Sequence, residues 1–220
     1  ATGYDLKTAR RSLNLLFADW ANRGLNRWTI EQVSLPLAAD IANYPAGILT
    51  MTVGASGSFT VGETITGGTS GATASITSVT SSTVIAITIP SGTFVATETI
   101  TGSTSGATTT VTAAVDFTNV RSTIDILSAV IRQNVGASNQ SDTSISRISR
   151  DTYINIPSKR TTARPSQFYV DRQITPILKL WGTPDATTYT LVFDRLVRID
   201  DADNPQNTVD VPFRFYPCLA

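Results

Sequence analysis

Ser58-Phe59-Thr60-Val61-Gly62-Glu63-Thr64-Ile65-Thr66-Gly67 returns as Thr93-Phe94-Val95-Ala96-Thr97-Glu98-Thr99-Ile100-Thr101-Gly102, and Thr69-Ser70-Gly71-Ala72-Thr73 returns as Thr104-Ser105-Gly106-Ala107-Thr108. The offset is 35 residues in both cases. Ser and Thr alternate with Val and Ile through residues 76–79 and 84–89. Successive side chains of a strand face opposite sides, so this alternation predicts half-buried strands. Gly-containing turns separate them. The repeat therefore reads as a small all-β module of two related halves.

Composition marks the edges of that module. Residues 47–119 contain no Lys or Arg, and their only acids are Glu63, Glu98 and Asp116. The whole chain has 17 basic and 17 acidic residues, so the segment carries −3 and the remainder +3. A charge-poor β segment with abrupt edges predicts an insertion: a core of helix plus strands at residues 1–46 and 120–220, and an inserted β module at 47–119. The module's glycines do not make a phosphate loop. Such a loop ends in Gly-Lys-Ser/Thr, so that the lysine meets the phosphates. Gly67-Gly68-Thr69-Ser70-Gly71 has no Lys. No Gly-x-Ser-x-Gly nucleophile elbow is present either.

Outside the repeat the sequence is mixed. Residues 5–23 predict an amphipathic helix with Leu6, Ala9, Leu13, Leu16, Phe17 and Trp20 on one face. Lys7, Arg10, Arg11, Asn14 and Arg23 occupy much of the rest, and Gly24 stands at the C-cap position. Residues 122–126 read as a short helical turn and 129–132 as an apolar strand. Ser149-Arg150-Asp151-Thr152-Tyr153 reads as a short capped helix. Three strands follow at 167–173, 176–181 and 189–199, with a turn at Gly182-Thr183-Pro184-Asp185. Asp200-Asp201-Ala202-Asp203-Asn204-Pro205 lacks the Gly and distal Glu of a calcium-binding helix-loop-helix loop and reads as a solvated acidic turn. The fold class expected is α+β: an N-terminal amphipathic helix with a β-rich core, plus the inserted all-β repeat.

Function classes fall away on simple counts. The chain has no histidine and one cysteine, Cys218. Ser-His-Asp and Cys-His catalysis, a His-containing zinc site and an intrachain disulfide are therefore excluded. No stretch of about 18 apolar residues exists to span a membrane. Ala1-Thr2-Gly3-Tyr4-Asp5 runs straight into a charged amphipathic segment, unlike a secretory signal. No catalytic residue, metal ligand or cofactor site is expected, and the chain reads as a non-enzyme.

Several short blocks, in order, resemble the head-to-tail adaptors of short-tailed bacteriophages, the tail tubular protein A-like family. They are Ala9-Arg10-Arg11-Ser12-Leu13-Asn14-Leu15-Leu16 with Asp19-Trp20-Ala21-Asn22-Arg23-Gly24-Leu25-Asn26-Arg27-Trp28-Thr29-Ile30-Glu31; Arg164-Pro165-Ser166-Gln167-Phe168-Tyr169-Val170-Asp171-Arg172-Gln173; Leu180-Trp181-Gly182-Thr183-Pro184-Asp185 leading to Tyr189-Thr190-Leu191; and Val211-Pro212-Phe213-Arg214-Phe215-Tyr216-Pro217. The resemblance covers roughly residues 5–46 and 120–220, and none of its blocks carries chemistry. It implies a twelve-fold homo-oligomeric ring in the virion neck, assembled in the host cytoplasm. The ring would join the portal protein to tail nozzle or fibre proteins, and genomic DNA would pass through it without sequence-specific binding. No cofactor and no membrane are implied. Family members continue beyond the Phe-Tyr-Pro block into portal-docking helices, so portal docking is assigned to no residue of this sequence. The repeat at 47–119 is foreign to the family core and is expected to interrupt a hairpin joining Ala42-Asn43-Tyr44-Pro45 to residues 120–127.

Arg10, Arg11 and Arg23 are the candidate subunit-interface residues, because they form the basic face of the first helix. The alternative class is a binding module, in which the repeat recognises a host glycan or another virion protein. Sugar sites display aromatic faces. The repeat offers only Phe59, Phe94 and Phe117, with no Trp or Tyr.

Overall fold

A computed structural model describes residues 3–23, 29–198 and 212. Among them the architecture is mixed α+β and strand-rich, with one long helix and three sheets. By internal compactness the chain forms two units, residues 1–31 with 196–220 and residues 32–195.

In the first unit, α1 (Gly3–Asn22) falls where the N-terminal helix is expected. Phe17 and Trp20 are buried, their rings 6.0 Å apart. Leu13 and Leu16 are half-buried, Ala9 is exposed and Leu15 is 63% exposed. Burial is thus strongest toward the C-terminal end of the helix. Gly24, the side chain of Leu6 and the acidic loop at 200–205 lie outside the described residues.

The remaining elements run, in chain order, β1 (Ile30–Pro36), β2 (Asn43–Pro45), β3 (Leu49–Thr52), β4 (Thr64–Gly67), β5 (Thr73–Ser81), β6 (Val84–Ile87), β7 (Thr99–Gly102), β8 (Thr108–Thr110), α2 (Thr118–Arg121), β9 (Thr123–Gln133), β10 (Ser141–Ser144), β11 (Ser146–Arg147), α3 (Arg150–Ile154), β12 (Gln167–Asp171), β13 (Ile177–Trp181) and β14 (Tyr189–Val197). The sheets have the orders β1-β14-β9-β10, β11-β12-β13-β2 and β3-β6-β5-β4-β7-β8.

The first two sheets share one apolar cluster and form a sandwich. Val33 and Leu35 of β1, Ile126 and Ile131 of β9, and Leu191 and Phe193 of β14 meet Phe168 and Val170 of β12 and Leu178 and Leu180 of β13. Each such side chain, fully buried, contributes about 1.5–3 kcal/mol. The chain changes sheets between β10 and β11 at buried Ile145, whose amide donates to the Ala129 carbonyl at 3.2 Å. Tyr44 is fully buried; its hydroxyl donates to the Ala38 carbonyl at 3.0 Å and accepts from the Ala38 amide at 2.9 Å. That closes the bend between β1 and β2.

The third sheet is built by the repeat and closes on itself. Its edge strands, β3 and β8, would leave unpaired amides and carbonyls. Instead Val53 bridges Val111 and Thr50 bridges Asp116. Gly54 donates to Thr110 O, Thr112 to Thr52 O and Asp116 to Thr50 O, all at 2.8–2.9 Å. The result is a six-stranded antiparallel barrel. Its interior holds Leu49, Met51, Ile65, Ile76, Ile85, Ile87, Ile100 and Val111. Irregular register in β5 between Ile76 and Ser78, and again between Val79 and Ser81, marks bulges that bend the strand, as closure demands.

Two local expectations need correction. Residues 122–126 are not a helical turn: the turn is α2, and Thr123 already belongs to β9. The β-branched Thr123, Ile124 and Ile126 favour strand, whereas Asp116 accepts from the Thr118 amide at 2.8 Å and starts the turn upstream. Nor do Ala42–Pro45 and residues 120–127 form a hairpin. β2 pairs with β13, and β9 lies in the other sheet.

Those two segments still meet, at a buried arginine. Arg195 of β14 is 3% exposed. Its Nη1 donates to Asn119 O at 2.8 Å, Asn119 Oδ1 at 3.0 Å and Thr123 Oγ1 at 3.0 Å. Asn119 Oδ1 also accepts from the Ile48 amide at 2.8 Å, and Thr123 Oγ1 donates to Ala46 O at 2.6 Å. The guanidinium thus holds Asn119 and Thr123 where the chain leaves the barrel, and these two carry the contact to Ile48 and Ala46 where it enters. Gly47 is required here: a Cβ at this position would lie 2.5 Å from Arg195 Nη1.

Candidate interaction surfaces

The repeated Glu-Thr-Ile-Thr-Gly motif is the densest arrangement of polar contacts in the barrel. β4 and β7 pair antiparallel with Ile65 opposite Gly102, Thr66 opposite Thr101 and Gly67 opposite Ile100. Equivalent positions of the two halves therefore meet about a local two-fold axis between Thr66 and Thr101. The axis makes each half cap the other. Glu63 accepts from the amides of Thr104 (3.2 Å) and Ser105 (3.0 Å), the Ser105 hydroxyl (2.9 Å) and, locally, the Thr60 amide (2.6 Å). Glu98 accepts from the Thr69 and Ser70 amides (3.2 and 2.9 Å), the Ser70 hydroxyl (2.9 Å) and the Val95 amide (2.7 Å). Gly67 and Gly102 make room for this: a Cβ there would sit 2.6 Å from Glu98 Oε2 or 2.5 Å from Glu63 Oε2.

Electrostatics follow from the same contacts. Burial alone would raise both carboxyls, but the converging donors outweigh it and hold Glu63 and Glu98 below the usual carboxylate value. Carboxylates engaged in this way hold the fold together. Each carboxylate already carries four donors across its two oxygens, and that suits it neither to proton transfer nor to metal ligation. Among the described residues, no three His, Cys, Asp or Glu side chains gather as a metal site would require.

The three arginines singled out on the first helix are not brought together, and Arg23 falls just past the end of α1. Arg10 is half-buried, Arg11 is exposed, and Arg23 is ion-paired with Asp19 of α1 at 2.9 Å. Thirteen residues along a helix span about 20 Å and end roughly 140° around from the start, so Arg10 and Arg23 share no face.

Sequence reasoning missed a second basic cluster. A cleft of about 350 Å³ is lined by Arg147, Arg150 and Arg172 with Ser149, Tyr169 and Asp171. β11 and β12 run parallel along it, and α3 sits above. Ser149 caps α3 by accepting from the Thr152 amide at 3.1 Å, as expected. Asp125 of β9 takes both ends of Arg147 at 2.9 and 3.1 Å, and Arg172 at 2.7 Å. Burial would raise Asp125, but these guanidinium bonds and the Ile126 amide hold it low. Asp171 is held low first by Lys179, 2.8 Å away. The available signal was charge density: residues 145–181 hold seven Lys and Arg against two Asp.

A groove of about 470 Å³ lies where the barrel meets the sandwich. It is lined by Asp40, Asn43 and the hydroxyl residues Thr64, Thr73, Ser75 and Thr88. Phe59 and Phe94 are buried inside the barrel and offer no aromatic face. No helix among the described residues is long and apolar enough to cross a membrane. Comparison of the chain with protein-family models, with curated proteins and with solved structures finds no match.

Proposed function

We propose that the chain is a structural virion protein, the head-to-tail adaptor of a short-tailed bacteriophage. In this reading a ring of twelve copies extends the DNA channel between portal and tail. The supporting observation is the use of the carboxylates. Glu63, Glu98, Asp125, Asp142 and Asp171 are all engaged in hydrogen bonds or ion pairs that hold strands and turns together. Of the resembling blocks, the first covers α1 and β1 and the next two cover β12, β13 and the start of β14; the block at 211–217 lies, but for residue 212, outside the described residues. Copy number in purified tails, read by electron microscopy or native mass spectrometry, tests the reading. Twelve copies in a neck ring are expected; one or a few copies would overturn it.

The barrel is then a decoration inserted between β2 and β9 that projects outward from the ring. Replacing residues 47–122 with a short turn between Ala46 and Thr123, together with Arg195→Met because the Asn119 acceptors are lost, is expected to leave a cooperatively melting β protein. None of the buried members of the sandwich cluster lies within the deleted stretch. The cut ends are adjacent, 2.6 Å apart at Ala46 O and Thr123 Oγ1, so closing them costs little entropy. Loss of a cooperative transition in circular dichroism would make the barrel part of the main core. The glycan-binding alternative has the hydroxyl-lined groove in its favour and the burial of Phe59 and Phe94 against it. A glycan array on the purified chain separates the two.

A further inference from the structure

The outer face of the β11-β12-β13 sheet carries more positive charge than its local carboxylates neutralise. Tyr153 of α3 stacks on Tyr169 of β12, with centroids 5.5 Å apart. Lys159 lies over the Tyr153 ring at 5.9 Å and Lys179 over the Tyr169 ring at 6.0 Å. With Arg147, Arg150 and Arg172 these make five cations on one surface, facing Asp125, Asp151 and Asp171. Arg172 is 60% exposed and meets Asp125 through Nη2, which leaves the rest of its fork turned outward. Arg150 is exposed and stands outside the Asp125 bridge. The arginine-lined cleft at the centre can admit a tetrahedral oxyanion.

We infer that this cleft and its flanking lysines bind phosphodiester groups of a nucleic-acid backbone, weakly and without regard to sequence. Guanidinium forks match phosphate oxygens in pairs. The tyrosine faces are already taken, by each other and by the lysines, so bases have no stacking platform and sequence goes unread. An acidic protein surface is the other polyanion to consider. The barrel of a second copy does not supply one, because Glu63 and Glu98 are enclosed by their own donors and only Asp116 is exposed. The inference goes beyond the adaptor reading by naming the surface that meets DNA, and it does not depend on ring formation.

Fluorescence anisotropy of the purified full chain with a labelled 30-base-pair duplex tests it. At physiological salt, binding in the range of about 10⁻⁴–10⁻⁶ M is expected, tightening steeply as salt is lowered toward about 50 mM. Arg150→Gln should reduce the slope of log affinity against log salt by about 1, and Arg150→Gln with Arg172→Gln by about 2. Arg150→Gln guards against a folding artefact, since its exposed side chain takes no part in the Asp125 bridge and its melting curve should match the parent's. Three results would overturn the inference: no binding by the parent chain at low salt, an unchanged slope in the double variant, or displacement of the duplex by poly-glutamate as effectively as by unlabelled duplex. The last points to an acidic protein partner. A failed ring-copy count would leave this result standing, because the measurement uses the isolated chain.

Discussion

Glu98→Ala is expected to destabilise the barrel by about 3 kcal/mol, and Glu63→Ala by a similar amount, measured by denaturant unfolding with a barrel-specific probe. Each truncation strips four donors of a charged acceptor. Hydrogen bonds to charged groups contribute about 1.5–3 kcal/mol apiece. Simple addition overshoots here, because Thr69 and Ser70 lie on an exposed turn where water replaces part of the loss. A total near 3 kcal/mol is a large share of the roughly 5–15 kcal/mol that holds a domain folded. Glu98→Gln should cost less, about 2 kcal/mol, since its carbonyl still accepts while its amide opposes a donor. The amides left by Glu98→Ala form a vacant anion nest. Acetate at about 0.1 M should recover part of the loss through mass action. A cost below about 1 kcal/mol at both sites would mean that the caps do not hold the halves together.

The same carboxylates give the barrel an acid limit. Their folded values lie below the ordinary 4.5. A depressed folded value contributes stability that is complete above the unfolded value and is lost as pH falls through the folded one. Barrel stability should therefore hold down to about pH 5 and decline below pH 4.5, and Glu98→Gln should flatten part of that decline.

The repeat itself was legible, and so was its division into two halves, because an offset of 35 residues survives in side chains that face the core, such as Ile65 and Ile100. The same offset reappears in the hydrogen bonds. Gly67 donates to Ala72 O at 2.8 Å and Gly102 to Ala107 O at 2.9 Å; Ile76 donates to Glu63 O and Val111 to Glu98 O, both at 2.9 Å. Sequence identity between halves cannot tell a contact within a half from a contact between halves, so the exchange of glutamates was hidden. Barrel closure was hidden for a similar reason, since Val53 and Val111 are far apart in the chain and both read as ordinary strand residues. One departure was visible: Thr97 stands where Gly62 does and adopts the same left-handed backbone, φ 71° against 90°. At the surface, the basic face of α1 drew attention because helical spacing displays it. The cleft at Arg147, Arg150 and Arg172 comes from three separate elements whose meeting depends on the parallel pairing of β11 with β12. The alternation of Tyr189, Leu191 and Phe193 continues to Arg195, so an inward-pointing arginine was written in the strand's own period.

Arg195→Ala is expected to cost about 3–4 kcal/mol, comparable to either glutamate cap but acting at the junction instead of inside the barrel. The guanidinium is buried, and its removal takes one donor each from Asn119 O, Asn119 Oδ1 and Thr123 Oγ1, while Asn119 O keeps the Ser122 hydroxyl and Asn119 Oδ1 the Ile48 amide. Hydrogen bonds from a charged donor contribute about 1.5–3 kcal/mol apiece, and removing the arginine takes the buried charge away along with them. The exposed side of Asn119 admits some water, which puts the expectation at the lower end. Arg195→Met keeps the packing of the stem and should cost about 2 kcal/mol. Arg195→Lys should do little better than Met, because one ammonium on a flexible stem does not reproduce the planar fork's reach to Asn119 and Thr123. Asn119→Ala removes a shared acceptor, and the Ile48 amide loses its partner as well. Combining it with Arg195→Met should cost less than the sum of the two, with a coupling of about 1 kcal/mol or more, because both act on one network. Strict additivity would show that Arg195 and Asn119 act independently. In that case the approach of Ala46 to Thr123 would have to be held by the Thr123 hydroxyl alone.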